Sequence, residues 1–307
     1  MVAVLAAAAL MSAYAPGASA PRQWIEMRNV DLHLNDHITL RVRSLHGEIF
    51  RTSRNRPAAL DDPTSFRVAV TAGIVALTAE DVAALLNTIT LAYPGSPLTD
   101  VHVRIADAHL IETGELHKAG THRVELTGTV SLTQDGRIKL HVVRTHIVGI
   151  NGEQLLHTFG LHLDNVVDLT GARGATIKGD DLFLNPLPFL PPPAITGQLA
   201  AVRIEGDRLV EEFTTTSDDA TFRHMVKADS VGNFIYFRAG ELRFGRLLMQ
   251  DTDLRIYGRD TSPAFDLDLP HYARQLVAGY SRTGADSGLT VYMPNYASLA
   301  LRASAPR

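Results

Sequence analysis

Thirteen histidines and several closely spaced aspartates are the residues of this 307-residue chain whose types could do chemistry. A metal site needs such ligands on one face of an element, within reach of one ion. The spacings do not suit that. His141 and His146 stand five apart in a strand-like segment, which sends them to opposite faces. His157 and His162 stand five apart in a helix-like segment, roughly 140° apart around the axis. His102, His109, His117 and His122 fall near strand ends or on polar strand positions and read as surface histidines. Asp251 with Asp253, and Asp266 with Asp268, each put two carboxylates on one strand face, as calcium sites and acid–base pairs do. The ligand spacing of a calcium loop is missing, so both pairs read as solvated strand edges. There is no H-E-x-x-H, G-x-S-x-G, P-loop or G-x-G-x-x-G. With no cysteine, disulfides, thiolate metal sites and thiol nucleophiles are excluded. The expectation is a chain without enzymatic activity, metal or cofactor. The rival is a hydrolase or lyase built from His and Asp residues far apart in sequence.

Composition supports a folded domain. Hydrophobic residues make up 45% and charged residues 20%, too apolar for a disordered chain. A formal net charge of −4 gives no reason to expect nucleic acid as a partner. One local exception is basic: Arg41, Arg43, Arg51, Arg54 and Arg56 surround a single Glu48, a stretch able to meet anionic headgroups in a peripheral membrane contact. Phe189 and Leu190, held between prolines, form a candidate apolar tip for the same contact.

The elements that must position these groups are mainly hairpins. Val30, Leu32 and Leu34 alternate, as do Ile38, Leu40 and Val42. Apolar partners share a face only if the loop is Asn35-Asp36-His37, with Leu32 opposite Leu40. The same reasoning sets Leu132 opposite Ile138 across Gln134-Asp135-Gly136, with Gly136 in the left-handed position. A third hairpin turns at Gly206-Asp207 and sets Ile204 opposite Leu209. Further strands are expected over Phe66–Thr71, Val101–Ile111, Asn233–Phe237, Glu241–Met249, Asp253–Tyr257 and Leu289–Met293. A helix from Thr78 to Tyr93 opens on a capping box, Thr78-x-x-Asp81, and lines Val82, Leu85, Leu86 and Ile89 along one stripe. A second helix is expected from Gly152 to Leu169, with Leu156, Phe159 and Leu163 on its apolar face, and a short third from His271 to Gly279. The run from Asn185 to Pro193 reads as a stiff extended connector. The fold class that follows is α+β, mostly β, with a long curved antiparallel sheet wrapped around one or two amphipathic helices. Residues 21–307 read as one elongated domain, with a possible subdivision near 174–197.

The first twenty residues differ from the rest. Val2 to Leu10 is an unbroken apolar run, followed by Ala18-Ser19-Ala20, a small-x-small cleavage pattern. This reads as a signal peptide for export to the periplasm or outside. The run, the long strands, the helix from Thr78, and the segment Leu187 to Pro193 leading into the hairpin Val202–Val210 together resemble the tubular lipid-binding superfamily. That superfamily includes BPI-like proteins and bacterial periplasmic phospholipid-binding proteins. The resemblance is architectural and covers residues 24 to 215. It implies a lipid or other apolar ligand held between sheet and helix, against Val82, Leu85, Leu86, Ile89, Leu156, Phe159 and Leu163. A secreted scaffold or partner-binding protein is the alternative.

Overall fold

A computed structural model describes residues 22–118, 120–147, 162–165, 167–214, 232–260, 262–284 and 287–303. The candidate signal segment and the proposed ligand residues Leu156 and Phe159 lie outside them. In chain order come β1 (Gln23–His33), β2 (Thr39–Arg51), the short β3 (Ala58–Ala59) and β4 (Phe66–Thr78). Helix α1 (Ala79–Leu85) follows directly and continues as a π-turn over Leu86–Thr90. Then come β5 (Leu98–Ala106), β6 (His109–His117), β7 (Thr121–Leu132), β8 (Ile138–Ile147), β9 (Ala175–Lys178) and β10 (Asp181–Leu184). The last part holds β11 (Ala194–Thr196), β12 (Leu199–Glu205), β13 (Arg208–Phe213), β14 (Phe234–Arg238), β15 (Leu242–Phe244) and β16 (Leu247–Met249). It closes with β17 (Asp253–Gly258), β18 (Phe265–Asp268), α2 (Tyr272–Ala278), β19 (Tyr280–Thr283), β20 (Leu289–Met293) and α3 (Tyr296–Ala303).

Among the described residues 55% are strand and 13% helix, in open, curved sheets, and the protein is α+β and mostly β. The large sheet has eleven strands, nine of them in the order β12-β13-β4-β2-β1-β14-β17-β20-β19. A six-stranded sheet, β5-β6-β7-β8-β10-β9, is built from the middle of the chain, and β16-β15-β3 form a small third sheet. Most pairings are antiparallel. β11 with β4, β18 with β1, β20 with β17 and β3 with β15 are parallel.

Bulges explain how long strands keep one face buried while the sheet bends. In β1, Ile25 and Met27 face inward on one parity and Leu32 on the other. The switch occurs at Asn29, which takes φ +49, a conformation Asn tolerates better than most residues. Opposite it, β2 slips at Arg43. Before the bend β1 pairs with β14, and after it with β18.

The hairpin registers hold: Leu32 pairs with Leu40, Leu132 with Ile138, and Ile204 with Leu209. Asn35 fixes the first loop by accepting from the amides of His37 and Ile38 at 2.9 and 2.8 Å. Gly136 has φ +80, as its loop requires. Other expectations need correcting. Val101–Ile111 is two strands, split by Asp107 and Ala108 at φ +51 and +59. Glu241–Met249 is also two strands, split at Gly245 with φ +58.

The first helix carries its full capping box. It leaves α-geometry after Leu85 because Asn87 bonds sideways to the backbone of Val101, at 3.0 Å from its amide and 2.6 Å to its carbonyl. Of the second helix, 163–165 forms a single 3₁₀ turn and 167–169 is not helical. Asp180 takes the amide of Leu163 at 2.9 Å, and Asp164 takes that of Gly179 at 2.6 Å, tying this end to the β9–β10 hairpin. The connector is not simply extended either. Leu187–Phe189 makes a 3₁₀ turn, and the chain then enters β11 on the edge of β4.

His141 and His146 also need correcting. β8 slips one residue against β7 between Val142 and Arg144, so His141 lies opposite Thr129 and His146 opposite Glu125, on the same face. They remain four ladder positions apart, about 13 Å at 3.3 Å per residue, too far to share an ion.

Candidate functional site

Two adjoining apolar cavities lie inside the protein, where the inner faces of the two larger sheets meet α1. The first, about 60 Å³, is bounded by the large sheet, by Leu85 of α1, and by Pro186, Leu187, Leu190 and Pro193 of the connector. The second, about 40 Å³, lies between the sheets. The large sheet gives it Leu77 and Leu209, the six-stranded sheet gives Leu110, Val130 and Leu140, and α1 with its π-turn gives Val82, Leu85, Leu86 and Thr90. Leu77, Leu85, Pro186 and Glu211 line both, so the two adjoin as neighbouring lobes of one region, called the chamber below.

Two glutamates interrupt this lining. Glu211 lines both lobes and Glu112 the smaller one. They are 5% and 4% exposed. Each sits on the inner parity of its strand. Glu112 lies in β6 between Leu110 and Gly114, and its ladder partners are Val103 and Leu126. Glu211 lies in β13 between Leu209 and Phe213, and its ladder partners are Val75 and Val202. Among the described residues neither carboxyl has a hydrogen-bond donor or counter-charge. Burial pushes both up to about 7.

The proposed ligand residues divide accordingly. Val82, Leu85 and Leu86 face the chamber. Ile89 and Leu163 are buried but not part of its lining. The pair of glutamates was missed, although strand alternation carries the signal: an acid stands at a core position in Leu110-x-Glu112-x-Gly114-x-Leu116 and in Leu209-x-Glu211-x-Phe213.

The basic stretch is mostly committed to ion pairs. Arg41 is paired with buried Asp81, Arg43 with Glu205 at 3.0 Å, Arg51 with Glu241 at 2.9 Å, and Arg56 with Asp62. Arg51 and Arg54 share a polar cleft of about 530 Å³ with Arg22, Arg67 and Glu48 at one end of the large sheet. Arg67 lies over the Phe50 ring at 4.2 Å. Of the apolar tip, Phe189 is exposed, whereas Leu190 turns into the chamber wall.

The aspartate pairs are not all solvated edges. Asp268 is buried and accepts from His271 through its amide at 2.8 Å and its ring at 3.0 Å. Asp266 meets His33 at 2.7 Å and the amide of Ala297 at 3.0 Å. His33 in turn contacts the Thr39 hydroxyl at 2.9 Å. This hydroxyl–imidazole–carboxylate chain has the order of a hydrolytic triad. None of its three members lines the chamber or the polar cleft, and Thr39 is buried. It serves instead to join β1, β18 and the start of α3. Among the described residues no three His, Asp or Glu side chains form a metal-binding group.

No family model, curated protein or solved structure matches this chain.

Proposed function

We propose that this is a non-catalytic binding protein of the cell envelope that holds a lipid or other apolar ligand in the chamber between its two larger sheets. One observation carries the reading: an apolar interior that converges on two buried carboxyls with no partner among the described residues. A filled core has no use for such groups, because each costs free energy unless something pairs with it. A binding site tolerates the cost, since the ligand supplies the partner.

Size limits the ligand. A benzene-sized molecule occupies a cavity of about 150 Å³, and the two lobes are smaller. A long acyl chain therefore enters only if a wall moves. The connector from Pro186 to Pro193 is the wall able to do so, because its prolines donate no backbone hydrogen bonds and only β11 joins it to the sheet. Export is supported by the apolar run Val2–Leu10 with Ala18-Ser19-Ala20. The arginine cleft at Arg51 and Arg54 gives a peripheral membrane contact its most suitable surface.

Native mass spectrometry of protein purified from its own host, followed by lipid extraction, tests the reading. The expected result is a retained mass that is displaced when Leu86→Trp fills the smaller lobe. A clean apo mass, with no uptake from mixed lipid vesicles, ends it.

A further inference from the structure

We infer that the ligand is a hydrophobic amine, its ammonium group held by Glu211 and Glu112 and its hydrocarbon part in the larger lobe. This rests on the chamber being a binding site and adds the chemistry of what it takes.

The argument starts from what the lining offers. Glu211 stands where the lobes join, and Glu112 faces the smaller lobe across from the large sheet. A molecule placed with its head in the smaller lobe and its tail in the larger one passes Glu211 at the junction. Three head groups have to be compared. A carboxylate would bring a third negative charge to two carboxyls in a medium that screens charge poorly. A hydroxyl would give one neutral hydrogen bond. An ammonium donates three hydrogen bonds and supplies the positive charge that the protein withholds. Elsewhere a basic group stands by: Asp81 faces Arg41, Glu205 faces Arg43, Glu241 faces Arg51, and buried Glu26 has His46 at 4.0 Å, while every described neighbour of Glu112 and Glu211 in the lining is apolar apart from Thr90.

Protonation makes the preference measurable. Among the described residues of β4, β5, β7, β12, α1 and the connector, no other titratable group faces either carboxyl within the lining. With both carboxyls near 7, each is mostly protonated at pH 6 and mostly ionised at pH 8. An ammonium ion needs them ionised, so its entry expels protons to the buffer and its affinity rises with pH. The rise is roughly tenfold per carboxyl over those two pH units. Hexan-1-ol and hexanoate release no protons in this way.

The test is titration calorimetry of the full chain with hexylamine, hexan-1-ol and hexanoate at pH 6 and pH 8, in two buffers of different ionisation enthalpy. The three share one six-carbon chain, so they ask the same movement of the connector wall and differ only in the head group. The expected result is hexylamine binding at least tenfold tighter than hexan-1-ol at pH 8, with proton release at pH 6 that largely disappears at pH 8. Both features should be lost in Glu211→Gln and weakened in Glu112→Gln. Thermal melts of the variants confirm folding. Equal binding of amine and alcohol, or amine preference surviving in the double variant, overturns the amine inference and leaves the apolar site standing. Tightest binding by hexanoate also overturns it. If none of the three binds at millimolar concentration, the chamber is not a small-ligand site and the underlying reading fails with it.

Discussion

Acids in two regions of this protein are withdrawn from water, and their surroundings are opposite. At the start of α1 and along β18, Asp81 accepts several hydrogen bonds, Asp268 accepts two from His271, and half-buried Asp266 accepts one from the Ala297 amide beside its contact with His33. Asp81 takes the amides of Thr39 and Thr78 at 3.2 and 2.8 Å, the Thr78 hydroxyl at 2.7 Å, and the Arg41 guanidinium. In the chamber, Glu112 and Glu211 are as deeply buried as Asp81 and, among the described residues, accept none. The His33 contact and the Ala297 amide outweigh burial at Asp266 and leave its carboxyl below the ordinary range. The two glutamates, with burial alone acting, move up. The difference teaches which acids hold the fold together and which wait for a partner. Burial is common to both regions, and the supply of donors separates them.

The largest expected effect comes from removing a satisfied acid. Asp81→Ala deletes the capping box and leaves Arg41 without its partner. Breaking such a pair costs about 3–5 kcal/mol, and partial exposure of Arg41 places the loss near the lower end. Urea denaturation measures it. A loss below 1 kcal/mol would erase the distinction between the two regions.

The unpartnered acids should show the opposite sign. Each glutamate binds its proton more tightly folded than unfolded, where its value is near 4.5. Stability is therefore highest below about pH 4.5 as far as these groups are concerned. It falls as pH rises towards 7 and levels off above. The shift corresponds to about 3 kcal/mol per carboxyl. The double variant Glu112→Gln, Glu211→Gln should lose most of the slope between pH 5 and pH 8 in urea titrations. An unchanged slope would mean that something already neutralises these groups.

Leu86→Trp then tests whether the smaller lobe is spare volume. Leu86 is buried against the lobe, and overpacking a filled core costs about 1–3 kcal/mol. A thermal melt showing a cost near the bottom of that range, together with lost uptake of hexylamine, fits a chamber. A cost at the top, with uptake intact, fits a solid core.

Local rules were legible wherever the chain solves its problem within a few residues. The registers of Leu32 with Leu40 and Leu132 with Ile138 follow from alternation plus loop length, and the Thr78–Asp81 box is contiguous. The misreadings have specific causes. Asp107 and Ala108 make a left-handed turn without glycine, so the break between β5 and β6 left no mark. A bulge in β8 reversed the parity that separated His141 from His146. The arginines between 41 and 56 pair with acids such as Glu205 and Glu241, distant in sequence. The chamber was half visible: the apolar stripe of α1 points to Val82, Leu85 and Leu86, and parity marks Glu112 and Glu211. What could not be read was that β6 and β13, in different sheets, face one space, because that depends on how the sheets curve around α1.

The smallest effect provides the baseline for this comparison, and it falls on an acid that is neither buried nor unpartnered. Glu205 meets Arg43 across β12 and β2 at 3.0 Å, with both side chains more than 40% exposed. Water screens the pair, and two long side chains lose rotamer freedom to form it, so exposed pairs contribute about 0.2–1 kcal/mol. Arg43→Ala should therefore change stability by less than 1 kcal/mol, and the change should shrink further in 0.5 M salt as screening lengths shorten. The position adds a second term. Arg43 is the bulged residue opposite Asn29, where β1 and β2 change parity. If a measured loss exceeds 2 kcal/mol and does not respond to salt, its origin is the bulge and not the ion pair. Comparing Arg43→Lys with Arg43→Gln separates charge from stem: Lys keeps both, whereas Gln keeps most of the stem alone, so stability restored by Lys and not by Gln points to the ion pair. A headgroup role for Arg43 would appear instead as weaker binding to anionic vesicles in Arg43→Ala with unchanged stability. The Glu205 contact argues for the opposite result, vesicle binding unaltered by Arg43→Ala and reduced by Arg54→Ala.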